Sequence, residues 1–572
     1  MNRLQPIYDL AALCAAKNVK QAILCPGSRN APLILAFSRH PDITCRSISD
    51  ERSAAFIALG IAQQTERAAV LVSTSGSAAY NFAPGVAEAF FAKSPLIVIT
   101  ADRPTEWVGQ QDGQTIYQAG IFGQHVKKCY QLPQEYEHPD NGWAINRMVN
   151  EAINLAHAEP MGPVHLNVPL REPLYPGDKP TEYSANLRIM NDLLPVPHAD
   201  EETQARIAHE LHQSRRVLIV AGQAAASATL RAALESASTS HQIPVVGDVL
   251  SNVHGIHDVV RRADLFLGGA DASTQQALQP DLLITFGDSV ISKPLKVFLR
   301  SFPPQRHWHI QVVGDVADTF KSVTSVIRLR PEAFFQLLSV IPAVRRPDQI
   351  GYQKRWLAQE GRIEQLLGHY LADSEFGEAK FVNGLMRSLP PVCHLHLANS
   401  MSVRYGVLVG LTADQQNVCV YANRGTSGID GCTSTAVGHA LTSVLPNILI
   451  TGDVAFFYDR NAFWHNYPMP NLRIVLLNNH GGGIFKMIDG PGEGREVDEF
   501  QVTRQALTGK HIAAEFGFDY YLLDEPAREA SFIDKLFTPS DRPGLLEVQT
   551  PMGINKNFLS TLKQKIKDNY ER

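Results

Sequence analysis

The chain has 572 residues, and at about 150–200 residues per domain its length points to three domains. Its 44% hydrophobic and 19% charged content excludes a disordered or fibrous class. A formal charge of −5 excludes general attraction to nucleic acid or to anionic membranes, so an anionic ligand must be captured by local basic groups.

In the first third, Ala22-Ile23-Leu24, Ala69-Val70-Leu71-Val72 and Leu96-Ile97-Val98-Ile99 have the length and apolarity of buried strands. Each is followed by Gly, Ser or Pro and then a helix-like stretch. That rhythm predicts a doubly wound parallel sheet with ligand loops at the carboxyl ends of its strands. Gly162 to Pro169 forms a last strand, and the Pro-containing stretch from Pro173 to Pro197 is a linker. A second unit has strands at Val217–Val220, Pro244–Val246 and Leu282–Thr285, and ends near Arg345-Arg346-Pro347-Asp348. The third has strands at His394–Leu397, Val418–Tyr421, Ile448–Thr451, Ile474–Leu477 and Leu545–Val548. The expected fold class is therefore α/β, with three doubly wound parallel-sheet domains over 1–175, 198–345 and 350–572. The first and third share a plan. At the C-terminus, Phe558, Leu562 and Ile566 recur every four residues, the stripe of a docked helix.

The seven cysteines are scattered and contain no C-x-x-C, the pattern of reduced thiols rather than of a disulfide scaffold or zinc site. The first twenty residues lack a secretory apolar core, and no run approaches the roughly 18 residues of a membrane span. The expectation is a cytoplasmic protein with no stable membrane insertion and no nucleic-acid partner.

Chemistry concentrates in the third unit. At Ile450-Thr451-Gly452-Asp453 a strand ends, a glycine follows and a carboxylate stands at the sheet edge. Asn478-Asn479-His480-Gly481-Gly482-Gly483 begins 25 positions later, directly after the next strand. In a parallel sheet both loops emerge at the same edge. A carboxylate, an amide oxygen and a glycine-loop carbonyl are hard ligands suited to Mg²⁺ or Ca²⁺ with a diphosphate. Asn423-Arg424-Gly425-Thr426-Ser427-Gly428-Ile429-Asp430-Gly431 opens a helix with three glycines, a place for an anion on backbone N–H groups, and Ile429 could support an apolar ring. In the first unit Glu51 stands at a strand-to-helix transition after Ser49 and Asp50, where an acid also suits the helix dipole.

Gly452-Asp453 with Asn478-Asn479, a lone glutamate in the first domain and three α/β units resemble the thiamine-diphosphate-dependent enzymes over the full chain. The resemblance implies a pyrimidine-binding domain, a middle domain and a diphosphate-binding domain. It also implies that Asp453, Asn479 and the carbonyl of Gly481 bind Mg²⁺ or Mn²⁺, and that Gly452, Ser427 and Gly428 lie along thiamine diphosphate. Ile429 is implied to hold the cofactor bent, and Glu51 to hydrogen-bond its aminopyrimidine. The common Gly-Asp-Gly reads Gly452-Asp453-Val454 here.

Cys25-Pro26-Gly27-Ser28-Arg29-Asn30-Ala31-Pro32, Thr100-Ala101-Asp102-Arg103-Pro104, Asn399-Ser400-Met401-Ser402-Val403-Arg404 and Asn423-Arg424-Gly425 narrow the resemblance to one branch. Those transferases, of menaquinone biosynthesis, decarboxylate 2-oxoglutarate and add the resulting enamine to isochorismate in a 1,4-fashion. Both substrates carry two carboxylates, and arginine's planar fork matches a carboxylate in a bidentate way. Arg29, Arg103, Arg404 and Arg424 all fall at predicted strand ends or the loops after them, where this fold puts ligands. By the same resemblance Ser28, Gln114, Ser400 and Lys293 contact substrate, while Ile484 and Phe485 pack over the reaction centre. Gly113 stands where related synthases often carry a polar residue. The alternative within the family is an acetolactate-type synthase, which would need a small apolar pocket instead of four arginines. The resemblance further implies a homodimer or homotetramer, with Glu51 and Asp453 of different subunits serving one cofactor.

Three other features read as structural. The pairs His394/His396 and His307/His309 are core or interface histidines rather than zinc ligands. Ser75-Gly76-Ser77 lacks the nucleophile-elbow pattern and fits a loop near the cofactor pyrimidine. The stretch from Gly490 to Gly494 is expected as a loop covering the site.

Overall fold

In the computed structural model, residues 4–175, 182–193, 195–344, 346–487 and 494–571 are described. The first sheet comprises β1 (Gln21–Leu24), β2 (Thr44–Ser47), β3 (Ala69–Ser73), β4 (Leu96–Asp102), β5 (Cys129–Gln131) and β6 (Val164–Pro169). The second contains β7 (Val217–Ala221), β8 (Val245–Gly247), β9 (Val259–Val260), β10 (Leu282–Phe286), β11 (Arg306–Ile310) and β12 (Ser325–Ile327). The third contains β13 (Cys393–Leu397), β14 (Val418–Tyr421), β15 (Asn447–Gly452), β16 (Leu472–Asn478), β17 (Asp519–Leu523) and β18 (Gly544–Gln549). Every neighbouring pair is parallel. Central strands such as β3 and β16 are buried along their whole length, and their middles, Ala69–Val72 and Ile474–Leu477, are apolar runs.

The first sheet runs β2-β1-β3-β4-β6-β5 and the third β14-β13-β15-β16-β18-β17, the same order by position. The shared plan expected from sequence is a shared topology. The second runs β12-β11-β10-β7-β8-β9, a doubly wound order whose direction reverses between β7 and β10. The Gly162–Pro169 strand is β6, which lies inside its sheet between β4 and β5.

The hydrophobic interior does not divide along the three sheets. Phe56, Ile57 and Leu71 share one cluster with Ala436, Val437, Ile474 and Leu476 of the third unit. Leu218, Phe266 and Phe298 of the second unit share another with Trp356, Val382, Leu395 and Val475. Each such large side chain contributes about 1.5–3 kcal/mol on burial, so the third unit is held to both others. The first junction is a helix crossing, Glu51–Thr65 on Cys432–Ala440. It is close because Gly60 meets Gly438. A Cβ on Gly60 would stand 2.1 Å from the Thr435 carbonyl oxygen, and one on Gly438 2.2 Å from that of Ile57.

Of the expected linker, residues 176–181 and 194 lie outside the described residues, and the described remainder between Pro173 and Pro197 is irregular. The second boundary stretch runs straight into a helix. Arg345 lies outside the described residues, and Pro347 occupies the first turn of the helix Pro347–Asp373, a position where its missing N–H costs nothing. The final helix, Met552–Glu571, buries Phe558, Leu562 and Ile566.

Candidate functional site

The carboxyl edge of the third sheet brings the two loops together because β15 and β16 pair in register, Gly452 opposite Leu477. Asp453 opens the helix Asp453–Tyr458 and is buried. Its Oδ1 accepts from Val454 N at 2.8 Å, and its Oδ2 from Gly481 N at 2.7 Å and Gln505 Nε2 at 2.8 Å. Burial raises its pKa above the ordinary carboxylate value, and these hydrogen bonds pull it back.

The adjacent asparagines have different jobs. Asn478 is spent on the fold, donating from Nδ2 to Glu547 Oε1 at 2.7 Å and to the Leu507 carbonyl at 3.0 Å. Asn479 donates from Nδ2 to Glu378 Oε1 at 2.7 Å, while its buried Oδ1 has no hydrogen-bond partner. A buried acceptor left unpaired costs free energy comparable to a lost hydrogen bond, so Asn479 Oδ1 fits a cation ligand. Together with the Asp453 carboxylate and the Gly481 carbonyl it gives an all-oxygen donor set of the kind Mg²⁺ takes. Among the described residues no group of three or more His, Cys, Asp or Glu side chains could hold a metal ion. Glu378, buried, has its pKa pushed up to about 7 by burial, and the Asp453 charge adds to that shift.

The loop 423–431 is tied down from the first and third units, and the strand end that leads into it from the second. Asn399 Nδ2 donates to the carbonyls of Asn423 and Gly428, both at 2.6 Å, while its Oδ1 receives Arg424 Nη1 at 2.7 Å. From the second unit, Asn252 pairs with both backbone groups of Val420, accepting from its N–H at 2.8 Å and donating to its carbonyl at 3.0 Å. Gln223 Nε2 donates to the Ala422 carbonyl at 3.0 Å. These contacts occupy the outer edge of β14, an edge strand, just before the loop. From the first unit, Glu88 accepts from Gly425 N, Thr426 N and Thr426 Oγ1. Within the loop Ser427 has φ +62° and is exposed, whereas Gly428 and Ile429 are half-buried.

The four arginines form two pairs. Arg29 is buried in the loop after β1, its Nη1 donating to the Leu170 carbonyl at 2.9 Å and its Nη2 standing 3.5 Å from Glu172. Its pKa is lowered by burial and then by the charge of Arg103. Arg103 itself donates to the Gly113 carbonyl at 2.9 Å and faces Asp112 at 3.5 Å. Gln114, exposed at φ +57°, lies against the Gly76 turn of the Ser75-Gly76-Ser77 loop, and Ser28 is exposed beside Arg29. The second pair is Arg404 and Arg424. Arg404 Nη1 donates to the Ser400 carbonyl at 2.6 Å, and its pKa is lowered by burial and then by Arg424. Asp264 acts on Arg404, and Glu88 and Asp248 on Arg424, but among the described residues no ion pair joins a carboxylate to either guanidinium, so the forks are suited to an anion.

Lys293 stands exposed at the first position of the helix Lys293–Ser301. Lys296, one turn further, has its pKa lowered by burial, Arg300 and Arg424, which puts it in the field of the second pair. Ile484 and Phe485 are half-buried on a short helix directly after the Gly481 loop, Phe485 packing on Val497, Val502 and Met552. Of the expected covering loop, 490–493 lie outside the described residues.

Glu51 is half-buried at the start of its helix, its pKa raised by burial and, less, by Asp50. Its neighbours reach across to the third unit. Asp50 caps the helix by accepting from Ser53 N at 3.0 Å and also accepts from Asn461 Nδ2 at 2.7 Å. Arg52 donates to the carbonyls of Asp430 and Tyr458 and stands 3.6 Å from the buried Asp459.

The histidine pairs are fastened within the interior. His394 and His396 both bond Asn447 Oδ1, at 3.2 and 3.1 Å, and their rings pack on His439 and Tyr421. His307 and His309 both bond Thr285 Oγ1.

Sequence reasoning passed over Glu378, Gln505, Glu88, Asn252, Gln223 and Lys296. Only Lys296 carried a usable signal, a second lysine one helical turn after Lys293.

Comparison with known proteins adds the following. The family model described as "Thiamine pyrophosphate enzyme, N-terminal TPP binding domain" matches residues 8–121. The model described as "Middle domain of thiamine pyrophosphate" matches residues 195–397. A 2-succinyl-5-enolpyruvyl-6-hydroxy-3-cyclohexene-1-carboxylate synthase of Cytophaga hutchinsonii is 40% identical over 99% of this chain and 100% of its own length. Synthases of the same name from Flavobacterium johnsoniae and Bacteroides fragilis are 36% and 37% identical, each over 96% of this chain and 97% and 96% of their own. Among solved structures, the thiamine diphosphate-dependent 4-hydroxybenzoylformate decarboxylase of Rhodococcus jostii RHA1 superposes with a TM-score of 0.71. It covers 96% of this chain and 99% of its own at 16% identity, a likeness of fold.

Proposed function

The chain belongs to the 2-succinyl-5-enolpyruvyl-6-hydroxy-3-cyclohexene-1-carboxylate synthase family of thiamine-diphosphate-dependent transferases, and from that premise we propose how its residues divide the work. The reaction is decarboxylation of 2-oxoglutarate and 1,4-addition of the remaining four-carbon unit to isochorismate. The observation that carries this reading is identity of 35–40% along nearly the whole chain to synthases of that one name.

Asp453, Asn479 and the Gly481 carbonyl would hold Mg²⁺ or Mn²⁺, which would supply positive charge for the cofactor's diphosphate. The unpaired, buried Asn479 Oδ1 supports the choice of Asn479 over Asn478. Gly452, Ser427, Gly428 and Ile429 line the cofactor. Bound thiamine diphosphate supplies a centre that accepts the electron pair released on decarboxylation. Glu51 holds a proton at the pyrimidine end, a task suited to a carboxyl whose pKa burial has raised. Arg29 and Arg103 with Ser28 and Gln114 take substrate carboxylates on the first unit. Arg404 and Arg424 take them on the third, with Ser400 and Lys293 alongside. Ile484 and Phe485 exclude water from the reacting carbons.

Glu51 and Asp453 serve one cofactor from different subunits of a homodimer or homotetramer. The three domains are taken as 1–175, 198–345 and 350–572. No helix among the described residues is long and apolar enough to cross a membrane, and all seven cysteines are free thiols. The thiols support a cytoplasmic location.

The test is consumption of isochorismate with 2-oxoglutarate, with and without added thiamine diphosphate and Mg²⁺. Loss of isochorismate and release of CO2 only with the full set is the expected result. Turnover of pyruvate with isochorismate untouched would sink the assignment in favour of an acetolactate-type reaction.

A further inference from the structure

We propose that Glu88, a residue of the first unit, is a positioning residue that sets Arg424 and the cofactor-lining stretch Ser427–Ile429 in place. It lies on the helix Ala83–Phe91 and is fully buried, at 0% exposure. A carboxylate is expensive to bury unless its oxygens are satisfied. Here Oε1 accepts from Gly425 N at 2.8 Å, and Oε2 accepts from Thr426 N and Thr426 Oγ1, both at 2.6 Å. Those donors lie 337 and 338 positions away along the chain.

The contact involves backbone as well as carboxylate. A Cβ on Gly425 would stand 2.8 Å from the Glu88 carbonyl oxygen and 3.0 Å from Ala92 N, so the loop seats directly on the end of this helix. Two consecutive peptide N–H groups bound to one carboxylate fix the backbone at Gly425 and Thr426. The residue before them is Arg424, whose guanidinium meets Asn399, and the residues after them lead to Ile429. Glu88 also places a negative charge in the field of Arg424, raising the arginine's pKa against the burial that lowers it. A carboxylate that touches neither substrate nor cofactor thus governs the orientation and charge of a group assigned to touch substrate. The inference rests on the reading of Arg424 as a substrate-carboxylate group and of Ser427–Ile429 as cofactor-lining.

The test compares Glu88→Gln, Thr426→Val and Arg424→Ala, each with kcat, KM for both substrates, thiamine diphosphate affinity by fluorescence quenching, and the urea midpoint. Glutamine keeps the shape but turns an amide N–H toward peptide N–H donors. Loss of charged hydrogen bonds of this kind corresponds to about tenfold or more. The expected result for Glu88→Gln is about a tenfold rise in KM for the acid bound by Arg424, with a smaller change in kcat and weaker cofactor binding. In the Arg424→Ala background the same change should move KM by less than about twofold, because the two act as one unit. A KM within about twofold of wild type in folded Glu88→Gln, or a full tenfold rise in the Arg424→Ala background, overturns the proposal. Should Arg424→Ala leave both KM values unchanged, the substrate reading of Arg424 fails. Glu88 is then judged on cofactor affinity alone, and unchanged affinity overturns it too. Where Glu88→Gln does not fold, Thr426→Val removes one hydroxyl donor and should raise KM about threefold; no rise overturns the proposal.

Discussion

Glu378→Gln should weaken metal binding without dismantling the site. The Asn479 amide has two ends, and the structure assigns them by what each meets. Nδ2 donates to the buried carboxylate of Glu378 at 2.7 Å, so Oδ1 is the end left for a cation. A hydrogen bond to a charged group contributes about 1.5–3 kcal/mol against about 1 kcal/mol for a neutral one. Glutamine can still accept from Nδ2, so about 1 kcal/mol of orientation is lost, or about fivefold in affinity. Removing a negative charge beside a divalent ion acts in the same direction. Burial pushes the Glu378 pKa up to about 7, so the comparison belongs at pH 8, where the wild-type carboxyl is ionised. Free Mn²⁺ measured by electron paramagnetic resonance, with saturating thiamine diphosphate, reads affinity independently of turnover. A five- to tenfold rise in the Mn²⁺ dissociation constant is expected. A folded Glu378→Gln protein that binds Mn²⁺ within about twofold of wild type would refute the idea that this carboxylate sorts the Asn479 amide.

Glu51→Gln should retain cofactor binding, measured by fluorescence quenching, and lose nearly all turnover; a fully active variant would refute the proposed proton-holding role of Glu51. The buried His396 has its pKa lowered to about 3, by burial first and then by His394. A depressed pKa means that its contribution to stability is complete above the unfolded value of about 6.5 and falls away as pH drops, by about 2 kcal/mol at pH 5. Buried acids such as Asp459, raised to about 7, act oppositely over the same range, so the effect must be read as a difference. The stability deficit of His396→Gln in urea should therefore shrink by about 2 kcal/mol between pH 7.5 and pH 5, and a constant deficit would contradict the assignment. Gly438→Ala should lower the urea midpoint by the equivalent of about 1–3 kcal/mol, because its Cβ would stand 2.2 Å from the Ile57 carbonyl; an unchanged midpoint would mean the crossing has slack.

How legible these features were in the sequence depended on where their determinants lie. Central strands such as Ala69–Ser73 and Leu472–Asn478 are buried on both faces, and that environment shows in the sequence as the apolar runs Ala69–Val72 and Ile474–Leu477 inside them. Most of the strands that escaped notice lie at sheet edges: Thr44–Ser47, Cys129–Gln131, Val259–Val260, Ser325–Ile327 and Asp519–Leu523. An edge strand has one neighbour, and some of these are only partly covered, as the exposed ends of Thr44–Ser47 are, so apolarity need not persist along them. Arg306–Ile310 lies inside its sheet, but its two histidines, both bonded to Thr285, interrupt the apolar pattern.

The same division separates the two layers of the site. Asp453, Asn479 and the 423–431 loop were legible because strand end, glycine and polar side chain are neighbours in sequence. The residues that hold these groups in position are not. Glu378 reaches Asn479 across 101 positions, Gln505 reaches Asp453 across 52, and Glu88 reaches Gly425 across 337. None of the three carries a local pattern, because each serves as a single partner for groups that come near only once the chain has folded. That asymmetry has a chemical consequence. The residues that touch cofactor and substrate are set by the reaction and recur as motifs, whereas orientation of an amide or a loop can be supplied by any buried carboxylate with the right reach. The supporting layer draws Glu88 from the first unit and Asn252 from the second, both converging on the segment that carries Arg424. The middle unit thus braces the outer edge of β14, the strand that leads into Arg424.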